Sequence, residues 1–351
     1  MPDPFREISQ EEARALLPLW DAGEFVGLPG ERGGTANPSA AVDTTTGRVF
    51  LRRRNPRYSE PEMLAHDHAL MEHLASREFP APLALESRAG RRWAEVEGDV
   101  FELYPYMPGE KHDPTSHAQI AAAGKALAKF HAATDDFTPP PGKEWPRYHD
   151  PRTTVEALDW ALTELGMTDA QRGEVERLRR LAGELSSQFG DGDYAGARQG
   201  TVHGDWHPAN VKYAGDEVAA AFDLDWATRQ PLLVDIADGV MFFAGVRKTE
   251  LDGGDIRSLT QGFALDEERM GVFLRAYADA VGSGDPTYQT PELAMLGRFM
   301  LARWLYCRAD PMRRKIPREE AVEYLLDGVW GPIDEIRQFD GDHTAVYRLL
   351  R

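Results

Sequence analysis

The sequence of 351 residues contains a single cysteine, Cys307. One cysteine excludes an internal disulfide framework and any zinc or iron–sulfur site built from several cysteines. A chain that uses so few thiols suits a reducing compartment, and we therefore expect a cytoplasmic protein.

Export signals and long apolar segments are also missing. The segment Met1–Leu17 is acidic and lacks the basic start and the apolar core of a signal peptide. The most apolar segment, Pro231–Val246, carries two aspartates and is shorter than the about 20 apolar residues that cross a bilayer. We expect neither export nor a membrane-spanning helix.

Positive charge is scarce, because 58 acidic residues outnumber 40 basic ones and give a net charge of -18. Nucleic acids and anionic membranes are bound mainly through clustered Lys and Arg, so neither is an expected partner. The acidity would either attract a cationic small molecule or simply keep the protein soluble. The first 110 residues contain no lysine, so a permanent side-chain cation needed there must be an arginine.

The patterns that are present predict an α+β chain. Turn residues inside Ala40–Leu51 and inside Trp93–Tyr104 indicate two β-hairpins. Between them, Ser59 and Glu62 are spaced as a capping box, and apolar residues follow at helical spacing. After Pro108-Gly109 the pattern is mostly helical. We therefore predict a strand-rich first part and a larger helical second part.

A short hairpin interrupts the helical part. Val211–Tyr213 and Val218–Phe222 are apolar runs separated by a four-residue turn. The segment His203–Asn210 leads into this hairpin, and Asp223 and Asp225 follow it. The hairpin can therefore return the chain beside the segment that precedes it.

The segment His203–Asn210 has the spacing His-x-Asp-x-x-x-x-Asn of a kinase catalytic loop. At this spacing Asp205 would accept the proton of a substrate hydroxyl, and Asn210 would bind Mg²⁺. Asp223 is the expected second Mg²⁺ ligand, because carboxylate oxygens suit this ion. Asp225 is either a further ligand or a structural residue of the loop.

Two histidines and two tryptophans lie in or beside these segments. We interpret His203 as a structural residue that holds the loop, whereas His207 either packs or touches the substrate. Trp206 and Trp226 would form an aromatic wall for a cationic substrate, or they pack in the core, which we favour.

A kinase also needs a cover and a cation for the phosphates. Gly33 and Gly34 precede the first hairpin and are candidates for the cover. Because strand residues alternate between faces, Arg52 shares the face of Phe50 and would point into the cleft. Its neighbours Arg53 and Arg54 are expected to face solvent.

An arginine in a cleft needs an orienting carboxylate. On the helix that follows Ser59, Asp67 lies at helical spacing from apolar residues and is therefore on the buried face. We predict that Asp67 pairs with Arg52; the alternative is that it binds a nearby backbone group.

With these residues the chain resembles the aminoglycoside phosphotransferase and homoserine kinase family of protein-kinase-like small-molecule kinases. The resemblance runs from about Phe25 to the last helices. It rests on the following segments: Gly33-Gly34, 49–53, 79–82, 103–109, 124–131, 203–210 and 223–235.

This resemblance implies a bilobal fold with a nucleotide-binding lobe at 1–107, a hinge at 102–109 and a helical lobe at 108–351. It implies ATP with its adenine against the linker near Glu102–Tyr106, Mg²⁺ on Asn210 and Asp223, Asp205 as the catalytic base, and a structural role for Asp235. The expected partner is a small molecule with a hydroxyl group, of the amino-alcohol, sugar or aminoglycoside type. Arg52 replaces the lysine of many members, which leaves the choice between ATP and GTP open.

Two alternatives remain open from the sequence. The segment Phe222–Asp225 also resembles that of stress-response protein Ser/Thr kinases of the same fold, and the arginine at position 52 is compatible with a nucleotide-binding pseudokinase. The identity of the phosphate acceptor and the oligomeric state are not predicted.

Overall fold

The computed structural model describes residues 6–33, 37–143, 150–188, 190–282, 291–342 and 345–350. The strand-rich first part contains two helices and six strands. Their bounds are Gln10–Leu16 (α1), Phe25–Gly27 (β1), Arg32–Gly33 (β2), Ser39–Thr44 (β3), Gly47–Arg53 (β4), Pro61–Ser76 (α2), Ala94–Val96 (β5) and Asp99–Pro105 (β6).

The six strands form one antiparallel sheet in the order β1-β3-β4-β6-β5, with β2 paired to β3. In the register of β4 and β6, Arg52 lies opposite Glu102 and Leu51 lies opposite Leu103. Successive residues alternate between the faces of the sheet. Leu51 and Leu103 are therefore buried against α1 in one apolar cluster, whereas Arg52 and Glu102 share the opposite face.

The second part is mostly helical. Its elements are His117–Ala133 (α3), Pro151–Glu164 (α4), Asp169–Gln188 (α5), Asp191–Gly196 (α6), Gln199–Val202 (β7), Val211–Ala214 (β8), Glu217–Ala221 (β9), Thr228–Pro231 (β10), Leu233–Gly239 (α7), Val246–Arg247 (β11), Ile256–Leu259 (α8), Phe263–Ala264 (β12), Glu267–Val281 (α9), Leu296–Arg314 (α10), Ala321–Leu326 (α11), Trp330–Gly341 (α12) and Ala345–Leu349 (α13). A π-helical turn, Val240–Ala244, follows α7.

The predicted architecture is confirmed: a strand-rich part with helix α2 precedes a larger helical part that contains the β8–β9 hairpin. The main apolar core includes Leu70 and Leu74 of α2 together with Phe130 of α3 and Phe273 of α9. Helix α2 therefore packs toward the helical part, and residues from both parts border the cleft between them.

One local prediction was wrong, and one helix was not predicted. The capping box does not form, because α2 begins at Pro61 with Glu60 as its N-cap, and the hydroxyl of Ser59 donates to the carbonyl of Asn55 instead. Proline is favoured at the first helical position, and this preference places the start of the helix here. Helix α1 was not foreseen, and its presence changes the surroundings of β4.

Within the described ranges, no helix is long and apolar enough to cross a membrane.

Candidate active site

A cavity of about 580 Å³ lies between the sheet and the helical part. Strand β4 contributes Phe50 and Arg52, and the end of β6 contributes Tyr104 and the residues after it. From the helical part the lining includes three residues singled out from the sequence: Asp205, Asn210 and Asp223. The cavity therefore collects the side chains expected to handle a nucleotide.

Asp235 of α7 holds the start of the 203–210 loop. Its carboxylate accepts the backbone N–H of His203 at 2.6 Å and that of Gly204 at 2.8 Å. The imidazole Nε2 of His131 lies 3.0 Å from the same carboxylate, and all of these groups are buried. Charge-assisted bonds of this kind are strong in a dry interior. Asp235 thus has the structural role expected for it.

His203 joins the 203–210 loop to the strand before Asp223. Its Nε2 lies 2.9 Å from the carbonyl oxygen of Phe222, and the ring is fully buried. The backbone N–H of Phe222 donates to the carbonyl of Asn210 at 2.9 Å. These bonds, with the antiparallel pairing of β8 and β9, bring Asp223 back to the loop.

The carboxylate of Asp205 lies among three nitrogen-bearing side chains. Its Oδ1 is 3.1 Å from a terminal nitrogen of Arg303, and its Oδ2 is 3.3 Å from His207 Nε2 and from Asn210 Nδ2. Burial alone would raise the pKa of Asp205, but the neighbouring His207 and Arg303 outweigh it and hold that pKa well below the ordinary value. Asp205 is therefore ionised at neutral pH.

Asp223 has a backbone conformation that is uncommon for a residue with a side chain, with φ at 64°. Strained residues of this kind concentrate at functional sites. Burial and the nearby Asp225 raise the pKa of Asp223 to about 6, and Arg52 opposes this rise. Arg52 therefore only partly offsets the burial of the Asp223 carboxylate, which leaves this group suited to a further cation.

The donor set also fits Mg²⁺. The amide nitrogen of Asn210 is used toward Asp205, which leaves the amide oxygen for another partner. Carboxylate and amide oxygens are the ligands that Mg²⁺ prefers, usually with water and phosphate oxygens completing the set. Within the described part of the chain, no three His, Cys, Asp or Glu side chains cluster as a metal site, so Asn210 and Asp223 need such additional ligands.

Arg52 lines the cavity, as its strand position predicted. Its guanidinium reaches Glu102 at 3.5 Å and Asp223 at 3.3 Å, and it is hydrogen-bonded to Asp225. The register of β4 and β6 explains the contact with Glu102, because directly opposed residues share one face. The side chain of Arg52 is therefore oriented by acids of the sheet and of the 223–225 segment.

The predicted pairing of Arg52 with Asp67 is wrong. Asp67 accepts from Arg54 and from Lys143, each at 2.6 Å. Burial alone would raise the pKa of Asp67, but Lys143, His66 and Arg54 lower it to about 2. Arg54 is two residues beyond Arg52 and so lies on the same face of the sheet, nearer to helix α2. Arg54, and not Arg52, is therefore the arginine that pairs with Asp67.

The expectation that Arg53 and Arg54 face solvent was also wrong, since both are buried. Arg53 points to the opposite face, where it is paired with Glu12 of α1 and with Asp99. The prediction for Arg53 was wrong because it did not include helix α1, which covers this face of the sheet.

Asp225 is enclosed by cationic and amide groups. Its Oδ2 accepts from Asn37 Nδ2 at 2.8 Å and from Arg52, and Arg54 lies 3.5 Å from its Oδ1. The side chain is 1% exposed and, unlike Asp223, Asp225 is not among the residues that line the cavity. Of the two open roles, this placement favours the structural one.

Of the remaining residues singled out from the sequence, some line the cavity and others do not. Gly33 lines the cavity beside Phe50, whereas Gly34 lies outside the described residues. His207 lines the cavity and is largely buried, and its Nδ1 accepts from the N–H of Ala209. Trp206 is fully buried in the main core, as favoured, so it does not form a substrate wall.

Sequence reasoning missed four charged residues of this region: Arg54, Glu102, Lys143 and Arg303. Lys143 is 1% exposed and connects Asp67 to the backbone carbonyl of Asp225. Arg303 is 5% exposed and lies inside the otherwise apolar run Phe299–Cys307 of helix α10. A charged residue inside such a run was the available signal for Arg303, and for Glu102 in strand β6.

Comparison with known proteins agrees with this geometry. Residues 31–272 match the model of the phosphotransferase enzyme family. The homoserine kinase of Methylobacillus glycogenes is 27% identical over 259 residues, which cover 74% of this chain and 77% of the relative.

Two solved structures share the fold. A microcompartment-associated aminopropanol kinase superposes with a TM-score of 0.65 at 16% identity, over 94% of this chain and 97% of the other. A spectinomycin phosphotransferase in complex with ADP and spectinomycin has a TM-score of 0.62 at 13% identity, over 97% and 100% of the two chains. The match to the family model covers more than half of the chain, and the protein described here belongs to the phosphotransferase enzyme family.

Proposed function

We propose that the protein transfers the γ-phosphoryl group of ATP to a hydroxyl group of a small molecule, with Asp205 as the catalytic base. The observation that carries this proposal is the single cavity that connects the end of β6, Arg52, Asp223, Asn210 and Asp205. Phosphoryl transfer needs these parts in one cleft, because the reaction depends mainly on positioning and on stabilisation of charge.

Each group in the cleft has a definite task. The residues after Tyr104 would contact the base of the nucleotide, and Arg52 would contact its phosphates through charge-assisted hydrogen bonds. Asn210 and Asp223 would hold Mg²⁺, which when bound neutralises the phosphate oxygens. Asp205, held ionised, accepts the proton of the attacking hydroxyl.

The choice of acceptor rests on the relatives. Homoserine and aminopropanol are the small alcohols in the names of the kinases described above, and both carry an amino group. A chain with a net charge of -18 attracts molecules with an ammonium group. We therefore expect a small amino-alcohol or hydroxy amino acid as the acceptor class.

The experiment measures ADP formation with Mg²⁺ and ATP in the presence of L-homoserine, aminopropanol, spectinomycin or casein. We expect turnover with a small amino-alcohol or hydroxy amino acid, and a loss of at least about 1000-fold in Asp205→Asn with nucleotide binding retained. Asp223→Ala should instead weaken binding of the nucleotide in the presence of Mg²⁺.

Four outcomes would contradict the proposal. Turnover with casein alone would indicate a protein kinase, and ATP binding without turnover of any acceptor would indicate a pseudokinase. Near-normal turnover by Asp205→Asn would remove Asp205 from the mechanism. Equal ATP affinity with and without Mg²⁺, in both the wild type and Asp223→Ala, would refute the metal assignment.

A further inference from the structure

Arg303 of helix α10 bridges two carboxylates, the buried Asp238 and the partly exposed Asp205. One terminal nitrogen lies 3.1 Å from Asp205 Oδ1, and its Nε lies 2.7 Å from Asp238 Oδ1. The side chain of Arg303 is 6% exposed, that of Asp238 is 0% exposed and that of Asp205 is 23% exposed. The guanidinium thus connects α10 and α7 to the catalytic loop.

We propose that Arg303 is a positioning residue for the phosphoryl transfer, which fixes the orientation of the Asp205 carboxylate toward the acceptor. This inference rests on the proposed function, because it requires Asp205 to act as the base. It does not require Arg303 to touch the nucleotide or the acceptor.

The two oxygens of Asp205 are used differently. Oδ1 faces Arg303, whereas Oδ2 faces His207 and Asn210 at the cavity. A planar guanidinium whose Nε is already bound to Asp238 has little freedom to rotate, so it fixes the plane of the carboxylate. A base that is misplaced by about 1 Å can lose on the order of 100-fold in rate.

The position of Asp238 supports the same assignment. Its Oδ1 accepts from Arg303, and its Oδ2 has no hydrogen-bond partner among the described residues. A buried carboxylate with one oxygen unsatisfied is costly. Asp238 is therefore poorly explained by local stability alone, and its contact with Arg303 gives it a function in holding the guanidinium.

Helix α10 also provides a matched control. Arg308 lies five residues after Arg303 and is 3% exposed, but it donates to the backbone carbonyls of Thr260, Tyr324 and Asp327. Replacing it removes a buried arginine from the same helix without touching Asp205. Any general effect of losing such a residue should appear in this variant.

The experiment compares Arg303→Met, Arg303→Lys and Arg308→Met. The kcat and the KM for MgATP are measured at pH 7.5, both for phosphorylation of the acceptor that the panel identifies and for the hydrolysis of MgATP by water, which needs no acceptor. The folded fraction of each variant is measured by thermal unfolding, so that rates refer to folded protein.

We expect Arg303→Met to lower kcat by about 10- to 100-fold with less than about a 3-fold change in the KM for MgATP. Arg303→Lys should restore only part of kcat, because an ammonium cannot bind both carboxylates in the same geometry. Arg308→Met should keep the wild-type kcat.

The inference is overturned if folded Arg303→Met has the wild-type kcat, if its KM for MgATP rises as much as its kcat falls, or if Arg308→Met loses kcat equally. If Arg303→Met does not fold, Arg303→Lys decides, because a wild-type kcat in that variant also contradicts a fixed bridge. Failure of the proposed function has a different signature, which is normal turnover in Asp205→Asn.

Discussion

Arg53 and Arg54 are adjacent buried arginines, and the partners of the two differ in exposure. Arg54 is paired with Asp67 and Glu102, whose side chains are 1% and 0% exposed. Arg53 is paired with Glu12 and Asp99, whose side chains are 15% and 24% exposed. Methionine in place of either arginine removes one positive charge and leaves a side chain of similar volume. The two variants therefore differ mainly in how buried the remaining carboxylates are.

The expected losses follow from what remains after the substitution. Arg54→Met leaves carboxylates in a dry site without this cation, and breaking a buried pair in this way costs about 3 to 5 kcal/mol. After Arg53→Met, water can reach the remaining carboxylates, so we expect a loss of about 1 to 2 kcal/mol. Chemical denaturation at pH 7 measures the free energy of unfolding of both variants. Equal losses, or a larger loss for Arg53→Met, would refute the reasoning.

The pH dependence gives a second test. In the wild type the pKa of Asp67 is lowered to about 2, so its stabilising contribution is present above the unfolded pKa near 3.8 and is lost as the pH falls toward about 2. In Arg54→Met the pKa values of Asp67 and Glu102 should rise, so these groups take up protons at higher pH. The stability difference between wild type and Arg54→Met should therefore shrink between pH 7 and pH 5.

Two further predictions concern stability. Gly239→Ala places a methyl group against the ring of Phe273 and should cost about 2 kcal/mol or more. Gly173→Ala, at an exposed position of helix α5 with open space around it, should stabilise the protein by about 0.5 to 1 kcal/mol. Similar thermal shifts in the two variants would contradict the packing argument. Burial raises the pKa of Asp238 to about 7, despite Arg303, so wild-type stability from this group is full below about pH 4 and is lost as the pH rises through 7. Asp238→Asn removes this titration, and its free energy of unfolding relative to wild type should increase between pH 5 and pH 7.5; a difference that does not change with pH would contradict a raised pKa.

The sequence was sufficient for features that depend on local patterns. The spacing of His203, Asp205 and Asn210 and the apolar runs around a short turn predicted the loop and the β8–β9 hairpin, because turn chemistry and strand alternation act over few residues. The same alternation correctly placed Phe50 and Arg52 on the cavity face. The resemblance in these segments also predicted the family to which the chain belongs.

Only the tertiary structure decided which charges meet. Arg52, Arg53 and Arg54 are consecutive in sequence, yet the first borders the cavity, the second pairs with α1, and the third pairs with Asp67. Strand alternation separates the faces but does not state which helix covers each face. The partners of a buried charge are set by packing between distant elements, since the desolvation cost must be offset by whatever opposite charge the fold brings near.

The same reason explains Arg303, which lies 98 residues beyond Asp205 and meets it through the packing of α10 against the core. A local pattern identified Asp205 as the candidate base. The residues that contact its carboxylate from other elements, such as Arg303, are far away in the sequence, and no local pattern indicates that they come close in space. The family of this protein could therefore be predicted from short local segments of the sequence. The side chains that contact its candidate base were decided by the packing of helices α7 and α10.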